Sequence, residues 1–277
     1  ALDGNMCRCT GYRPIAGAVR AFATDAPAAA APGEVWPALA RPFDKDAEPV
    51  MPPELSTLAG RALAFTHKAT DGQGHTLRTR SFLRPSSLAD VLAANGPEST
   101  LVAGNTSTPL GRVDVGTFID VSCVPELREV DLDARSGRLT VGAAVTIAEL
   151  RVALAGFGGT YARLGTHLGR IGSTQVRNTA TVGGHLALAA QDSDLVPALV
   201  ALHATALLAS ADGQRTLPVA ELVQGVGKTQ VRPSEVIQHI VVAPPKTDRD
   251  ERSFEYFFKQ GRREWNSRSL ANGAAVF

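Results

Sequence analysis

The stretch TDAPAAAAPGEVWPALARPFDKDAEPVMPPE, residues 24–54, decides the layout of this chain before any other feature does. Alanine and proline dominate it. Each proline fixes its own φ, lacks an amide hydrogen and biases the residue before it away from helix. Such spacing interrupts a long helix and a central strand alike, so the stretch reads as an extended, exposed linker. It separates a short N-terminal piece, residues 1–24, from a long C-terminal piece that begins near residue 76. The linker is drawn over residues 25–75, and the acidic and basic run DKDAE at 44–48 is a solvated part of it.

A chain of 277 residues exceeds one average domain. With 44% hydrophobic and 20% charged residues it can bury a sizeable core. The 28 basic and 27 acidic residues leave a formal charge of +1, which gives no general pull toward nucleic acid or an anionic membrane. Aromatics at 5% argue further against stacking on single strands. No apolar run approaches the length of a membrane span, and the N-terminus has no secretory pattern. Ala1 in place of Met and an abrupt stop at AAVF lead us to expect a piece of a longer polypeptide. Three cysteines, two of them nearly adjacent, do not make a secreted disulfide framework, so the reducing cytoplasm is the expected compartment.

The long piece reads as mixed α+β. TLRTRSFLRPSSLADVLAAN (76–95) gives an alternating strand, then Pro85, a capping Ser86 or Ser87 and a helix. TLVAGNTSTP (100–109) is a short strand running into Gly-Asn-Thr, and GTFIDVSCVPEL (116–127) is a strand and turn. In REVDLDARSGRLTVGAAVTIAEL (128–150), two strands flank a turn, and Thr146 with Glu149 forms a capping box opening a helix. Residues 160–190 are rich in Gly, Thr and Ser. A helix and strand over 193–210 follow, then strands in 214–222, 235–245 and 251–264. The regular alternation of a doubly wound sheet is absent.

The N-terminal piece holds GNMCRCTGYRPI, residues 4–15, followed by a short helix opened near Pro14. Thiols two positions apart on a turn can face one metal or one cluster. A zinc half-site, two unrelated thiols and half of a [2Fe–2S] site are all open on the residues alone. Zinc sites pair such thiols with partners downstream, and a [2Fe–2S] cluster asks for four thiolates. Cys123 lies far away in FIDVSCVPEL and reads as a small buried hydrophobe. Two further stretches carry chemistry. Gly104-Asn105-Thr106 after a strand can present backbone N–H groups to an anion, although a plain turn explains the stretch better when it is taken alone. ATVGGHLALAAQDSDLVP (180–197) is another small-residue cradle, equally weak alone, and neither stretch is a Walker A or G-x-G-x-x-G loop. Asp194 by itself is a helix cap, Ile237 a core residue and Lys259 a surface cation. His67, His75, His167, His203 and His239 have no ligand spacing.

GNMCRCTGYRPI resembles the second half of the iron–sulfur domain of the molybdenum hydroxylases, the xanthine dehydrogenase and aldehyde oxidase family. LVAGNTS (101–107) and IGSTQVRNTATVGGHLALAAQDSDL (171–195) resemble, in the right order, the FAD-binding domain of the same family, of the vanillyl-alcohol-oxidase or PCMH type. The resemblance implies the tail of an all-α [2Fe–2S] helical domain over 1–24 and a linker over 25–75. A PCMH-type domain of two α+β subdomains follows over 76–247, and the opening of a C-terminal subdomain over 248–277. It implies Cys7 and Cys9 as two cluster ligands, with the other two before residue 1. Leu101, Val102, Ala103, Gly104, Asn105, Thr106 and Ser107 would wrap the FAD pyrophosphate. Thr181, Gly183 and Gly184 would close on the phosphates and ribityl chain. Ser193 and Asp194 match a pair on the sugar and phosphate side, while Ile237 and Lys259 match positions near the isoalloxazine. His185 stands where the family often has asparagine, and Ile171 where some relatives place an aromatic on the adenine.

The implied activity is an electron relay. A molybdopterin-binding large subunit, or a missing C-terminal region, oxidises the substrate; [2Fe–2S] clusters and FAD carry the electrons to NAD⁺. The order iron–sulfur then flavin resembles the small subunit of a bacterial xanthine dehydrogenase in a hetero-oligomer. The alternatives are a related aldehyde or carbon monoxide dehydrogenase, a flavin-only oxidoreductase of the same fold, and a non-enzymatic metal-binding or scaffold subunit.

Overall fold

The structure, a computed structural model, describes residues 15, 19, 50–57, 61–106, 115–133, 135–243, 254–263 and 266–277. Two units separate by their internal contacts, Ala1–Ala59 and Gly60–Phe277. In the first, Ile15 and Val19 of the expected short helix are helical. A single turn of helix, α1 (Pro53–Ser56), has its proline at the first helical position, where no amide hydrogen is needed. Cys7 and Cys9 lie outside the described residues.

The second unit opens with a correction to the linker boundary. β1 (Leu63–Thr70) lies within the stretch read as linker, yet it pairs antiparallel with β2 (Thr76–Arg84) along its whole length. Nearly every β1 residue is exposed, so no apolar alternation marks it. The hairpin is held by its ladder and by its turn, where Asp71 Oδ1 accepts from the backbone N–H groups of Gln73 and His75, each at 2.9 Å.

After β2 the chain forms α2 (Leu88–Ala94), capped by Ser87 through the Asp90 N–H as the sequence predicts. β3 (Ser99–Val102) and β4 (Thr117–Asp120) complete a four-stranded sheet of order β1-β2-β4-β3, in which β4 runs parallel to both neighbours. Val91 of α2 packs with Ile119, Val121, Val124 and Leu127 to form the smaller core.

A second, all-antiparallel sheet has the order β5-β6-β11-β7-β8. Its strands are β5 (Val130–Leu132), β6 (Leu139–Gly142), β7 (Thr205–Ser210), β8 (Gly213–Pro218) and β11 (Val236–Val242). Between β6 and β7 run α3 (Ile147–Leu154), α4 (Gly159–Leu168), α5 (Thr174–Arg177), α6 (Val182–Leu188) and α7 (Leu195–Ala201). The predicted capping box opens α3: Thr146 Oγ1 accepts from Glu149 N–H, and Glu149 Oε2 accepts from Thr146 N–H. Buried faces of these helices, Leu150, Leu164, Leu168, Leu186, Leu195 and Leu199 among them, form the larger core with β6, β7 and β11. The short α8 (Val219–Leu222), β9 (Val223–Gly225) and β10 (Lys228–Thr229) lead from β8 back to β11. The ribbon β12 (Glu255–Gly261) and β13 (Ser269–Val276) packs Phe257, Ala274 and Val276 against the larger core. Mixed α+β architecture thus holds, built among the described residues as a four-stranded and a five-stranded sheet with the two-stranded pairs β9–β10 and β12–β13. Ala144, from the connection after β6, and Val236, the first residue of β11, pack in the smaller core and tie the two larger sheets together.

Candidate functional site

The two cradles predicted from sequence come together because of two glycines. β3 ends at Val102, and the following loop lies against the Thr179–Ala180 backbone. A Cβ on Gly104 would stand 1.7 Å from the Thr179 carbonyl oxygen and 2.9 Å from Ala180 N. Only glycine allows that approach. The next residue, Asn105, has φ +47, in the left-handed region that asparagine tolerates better than most residues. No described residue accepts from the backbone N–H groups of Gly104, Asn105 or Thr106. These donors are therefore available to an anionic ligand.

The facing wall is the start of α6. Thr181, buried at the N-cap, accepts from Gly184 N–H at 3.1 Å. Gly183 presses against the β6–α3 connection: its N–H donates to the Ala143 carbonyl at 2.8 Å, and a Cβ there would meet Ala143 Cβ at 2.5 Å. Between the walls lies a cavity of about 270 Å³. Leu101, Val102, Ala103, Gly104, Asn105, Thr106, Thr181, Gly184 and His185 all line it. Gly183 stands behind this lining as a packing contact, and Ser107 lies outside the described residues.

Sequence reasoning missed Thr100, Phe118 and Leu188, which also line the cavity. No local signal marks Phe118. It arrives there because β3 and β4 pair in parallel with Thr100 opposite Phe118. Leu188 lines a second hollow as well, of about 570 Å³, walled by Gln191, Asp192, Arg268, Ser269 and Asn272.

Ser193, Asp194 and Lys259 form a buried polar corner beside the cavity. Lys259 Nζ donates to Asp194 Oδ2 at 2.6 Å and to the Arg170 carbonyl at 3.0 Å. Asp194 Oδ1 accepts from the Ser269 hydroxyl and, at 2.9 Å, from Asn272 Nδ2. Asp194 occupies the N-cap of α7, but its side chain caps nothing there, because all its bonds go to the ribbon. The helix-cap reading of Asp194 and the surface reading of Lys259 are both corrected by this pairing. His167, 4% exposed, directs Nε2 to the Asp194 carbonyl at 2.8 Å, so that nitrogen carries the hydrogen; Nδ1 is buried without a partner among the described residues. Burial holds the His167 pKa below its ordinary value, against the opposing pull of the Asp194 carbonyl and carboxylate.

Ile237 and Ile171 do not line the cavity. Both are buried in the larger core, Ile237 opposite Leu208 on β7. Cys123 is half-buried rather than buried. His67, His75 and His203 are exposed, His239 Nε2 meets the Glu126 carbonyl at 3.1 Å, and no group of metal-ligating side chains occurs among the described residues.

A cavity with loop amides that no described residue accepts from, two glycines that admit no Cβ and a polar corner beside it suits the phosphate-bearing part of a dinucleotide. A family model described as the FAD-binding domain in molybdopterin dehydrogenase matches residues 77–245. The chain belongs to that family. It is 28% identical over 316 residues to aldehyde oxidase 1 of Oryctolagus cuniculus, covering 100% of this chain and 23% of that protein. It is 30% identical over 285 residues to aldehyde oxidase 4 of Mus musculus, covering 87% and 20% respectively. The chain therefore spans about a fifth of the length of the curated relatives it matches. Quinoline 2-oxidoreductase from Pseudomonas putida 86 shares the fold with a TM-score of 0.60 and 27% identity, over 70% of this chain and 66% of that one. Within this FAD-binding domain, the residues of the cavity fit the cofactor the family is named for.

Proposed function

We propose that the chain is the flavin-bearing part of a molybdenum hydroxylase, most specifically a xanthine dehydrogenase small subunit. The observation that supports this best is the convergence of LVAGNT and TVGGH on one cavity beside a buried Ser193–Asp194 corner. The amides of Gly104–Thr106 hold phosphate oxygens, and the Gly104–Thr179 contact keeps that loop in place. The Asp194–Lys259 pair fixes the ribbon against the cofactor's surroundings. FAD held by these residues would supply the redox chemistry that links iron–sulfur clusters to NAD⁺. Cys7 and Cys9 are two ligands of one [2Fe–2S] cluster, and residues 1–24 are the tail of its helical domain. Residues 248–277 open a C-terminal subdomain. A molybdopterin-binding partner or region supplies the electrons, in a cytoplasmic hetero-oligomer. The likeness to aldehyde oxidases supports a second reading equally, the same relay serving an aldehyde-oxidising centre.

Visible absorbance after incubation with FAD and desalting tests the first step. A retained flavin band at one equivalent is expected. With two ligands in this chain, no stable iron–sulfur band accompanies it. A folded, colourless protein would overturn the reading, and a stoichiometric cluster would overturn the ligand assignment.

A further inference from the structure

His185 sits one turn after Thr181 on α6 and lines the cavity. Its Nδ1 lies 3.3 Å from the Ser193 hydroxyl, while no described residue bonds its Nε2. Ser193 is itself tightly placed. It is 5% exposed, its Oγ accepts from Val196 N–H at 3.4 Å, and its carbonyl accepts from Asn272 Nδ2 at 3.1 Å. A hydroxyl that already accepts from a backbone amide has its hydrogen free to donate. With that hydrogen given to Nδ1, 3.3 Å away, the neutral imidazole would carry its own hydrogen on Nε2.

Accepting the FAD reading above, we propose that Ser193 holds His185 as the Nε2–H tautomer and that this N–H donates to an oxygen of the bound dinucleotide. Ser193 is then a positioning residue and His185 the cofactor contact. The surrounding charges agree with a neutral ring. Burial pushes the His185 pKa down and Lys259 adds to that, while Asp194 and Asp192 pull it up. Asp194 is committed to Lys259, and Asp192 faces Arg268 at 3.5 Å, so neither carboxylate is free to hold an imidazolium. His167, the other ring at this corner, meets only the Asp194 carbonyl through Nε2.

Two measurements on the whole 277-residue chain test the proposal. Nitrogen-15 spectra of the histidine rings in flavin-free protein report the tautomer directly. His185 is expected as Nε2–H in the wild type, as a mixture in Ser193→Ala, and as Nε2–H again in Ser193→Thr. Titration with FAD, followed by flavin fluorescence, reports the contact. His185→Ala is expected to raise Kd by roughly 3- to 10-fold, the worth of one hydrogen bond. His185→Asn keeps an N–H donor and is expected to stay within about twofold of the wild type. An Nδ1–H ring in the wild type overturns the role of Ser193. An unchanged Kd in His185→Ala, beside firm wild-type binding, overturns the contact alone. A wild-type chain that binds no FAD overturns the functional reading and the contact together.

Discussion

Replacing Asp194 with alanine tests how the corner beside the cavity is held. Asp194 and Lys259 have side chains only 5% exposed each, so the pair is desolvated. Removing one member of such a pair leaves a buried charge uncompensated, at a cost of about 3–5 kcal/mol. The variant also deprives the Ser269 hydroxyl and Asn272 amide of their shared acceptor, about 1 kcal/mol each where water cannot replace it. Domains have only about 5–15 kcal/mol in hand, so the loss is a large fraction of the total. For a unit the size of Gly60–Phe277 the whole loss, about 3–7 kcal/mol, corresponds to a melting point lowered by roughly 6–28 °C. Urea unfolding followed by far-UV circular dichroism measures it. Lys259→Met should cost less, because Asp194 keeps two neutral donors. The Asp194→Ala/Lys259→Met double variant should fall short of the summed single effects by at least about 1 kcal/mol, since the stranded charge is gone. A loss below about 0.5 kcal/mol in Asp194→Ala, or strict additivity in the double variant, would refute the buried-pair account.

Gly104→Ala must displace the Thr179 backbone, because the added carbon would lie 1.7 Å from its carbonyl oxygen. Loss of FAD retention with a shift of the 103–106 loop is expected; unchanged flavin affinity in that variant contradicts the close-approach argument. For His167 the folded pKa is lowered, so the native protein disfavours the proton that the unfolded chain takes up near its ordinary value of about 6.5. Its stability contribution is full above that value and is lost as pH falls toward the folded pKa. Melting points between about pH 8 and about pH 5 should therefore drop on the acid side, and less steeply in His167→Gln; a wild-type profile flat to about pH 5 contradicts the assignment.

Much of the local structure was legible because it is chemically local. Ser87 and the Thr146–Glu149 box cap their helices as read, since a cap is made by residues three apart. Gly104 and Asn105 were readable as positions of unusual backbone, because small size and tolerance of such backbone are properties of the residue itself. β1 was hidden for the converse reason: an exposed strand stabilised by its ladder has no apolar period to show. Ile237, matched to the flavin's surroundings by likeness to relatives, is a buried residue of β11 opposite Leu208.

The amino-acid order alone set the two cradles, their glycines and the caps, because backbone dihedral preference acts within a few residues. The fold decided which of these meet. Lys259 finds Asp194 across 65 positions, and Phe118 reaches the cavity only through the parallel register of β3 and β4. Such meetings depend on strand pairing and on which faces are buried together, which no short stretch of chain encodes.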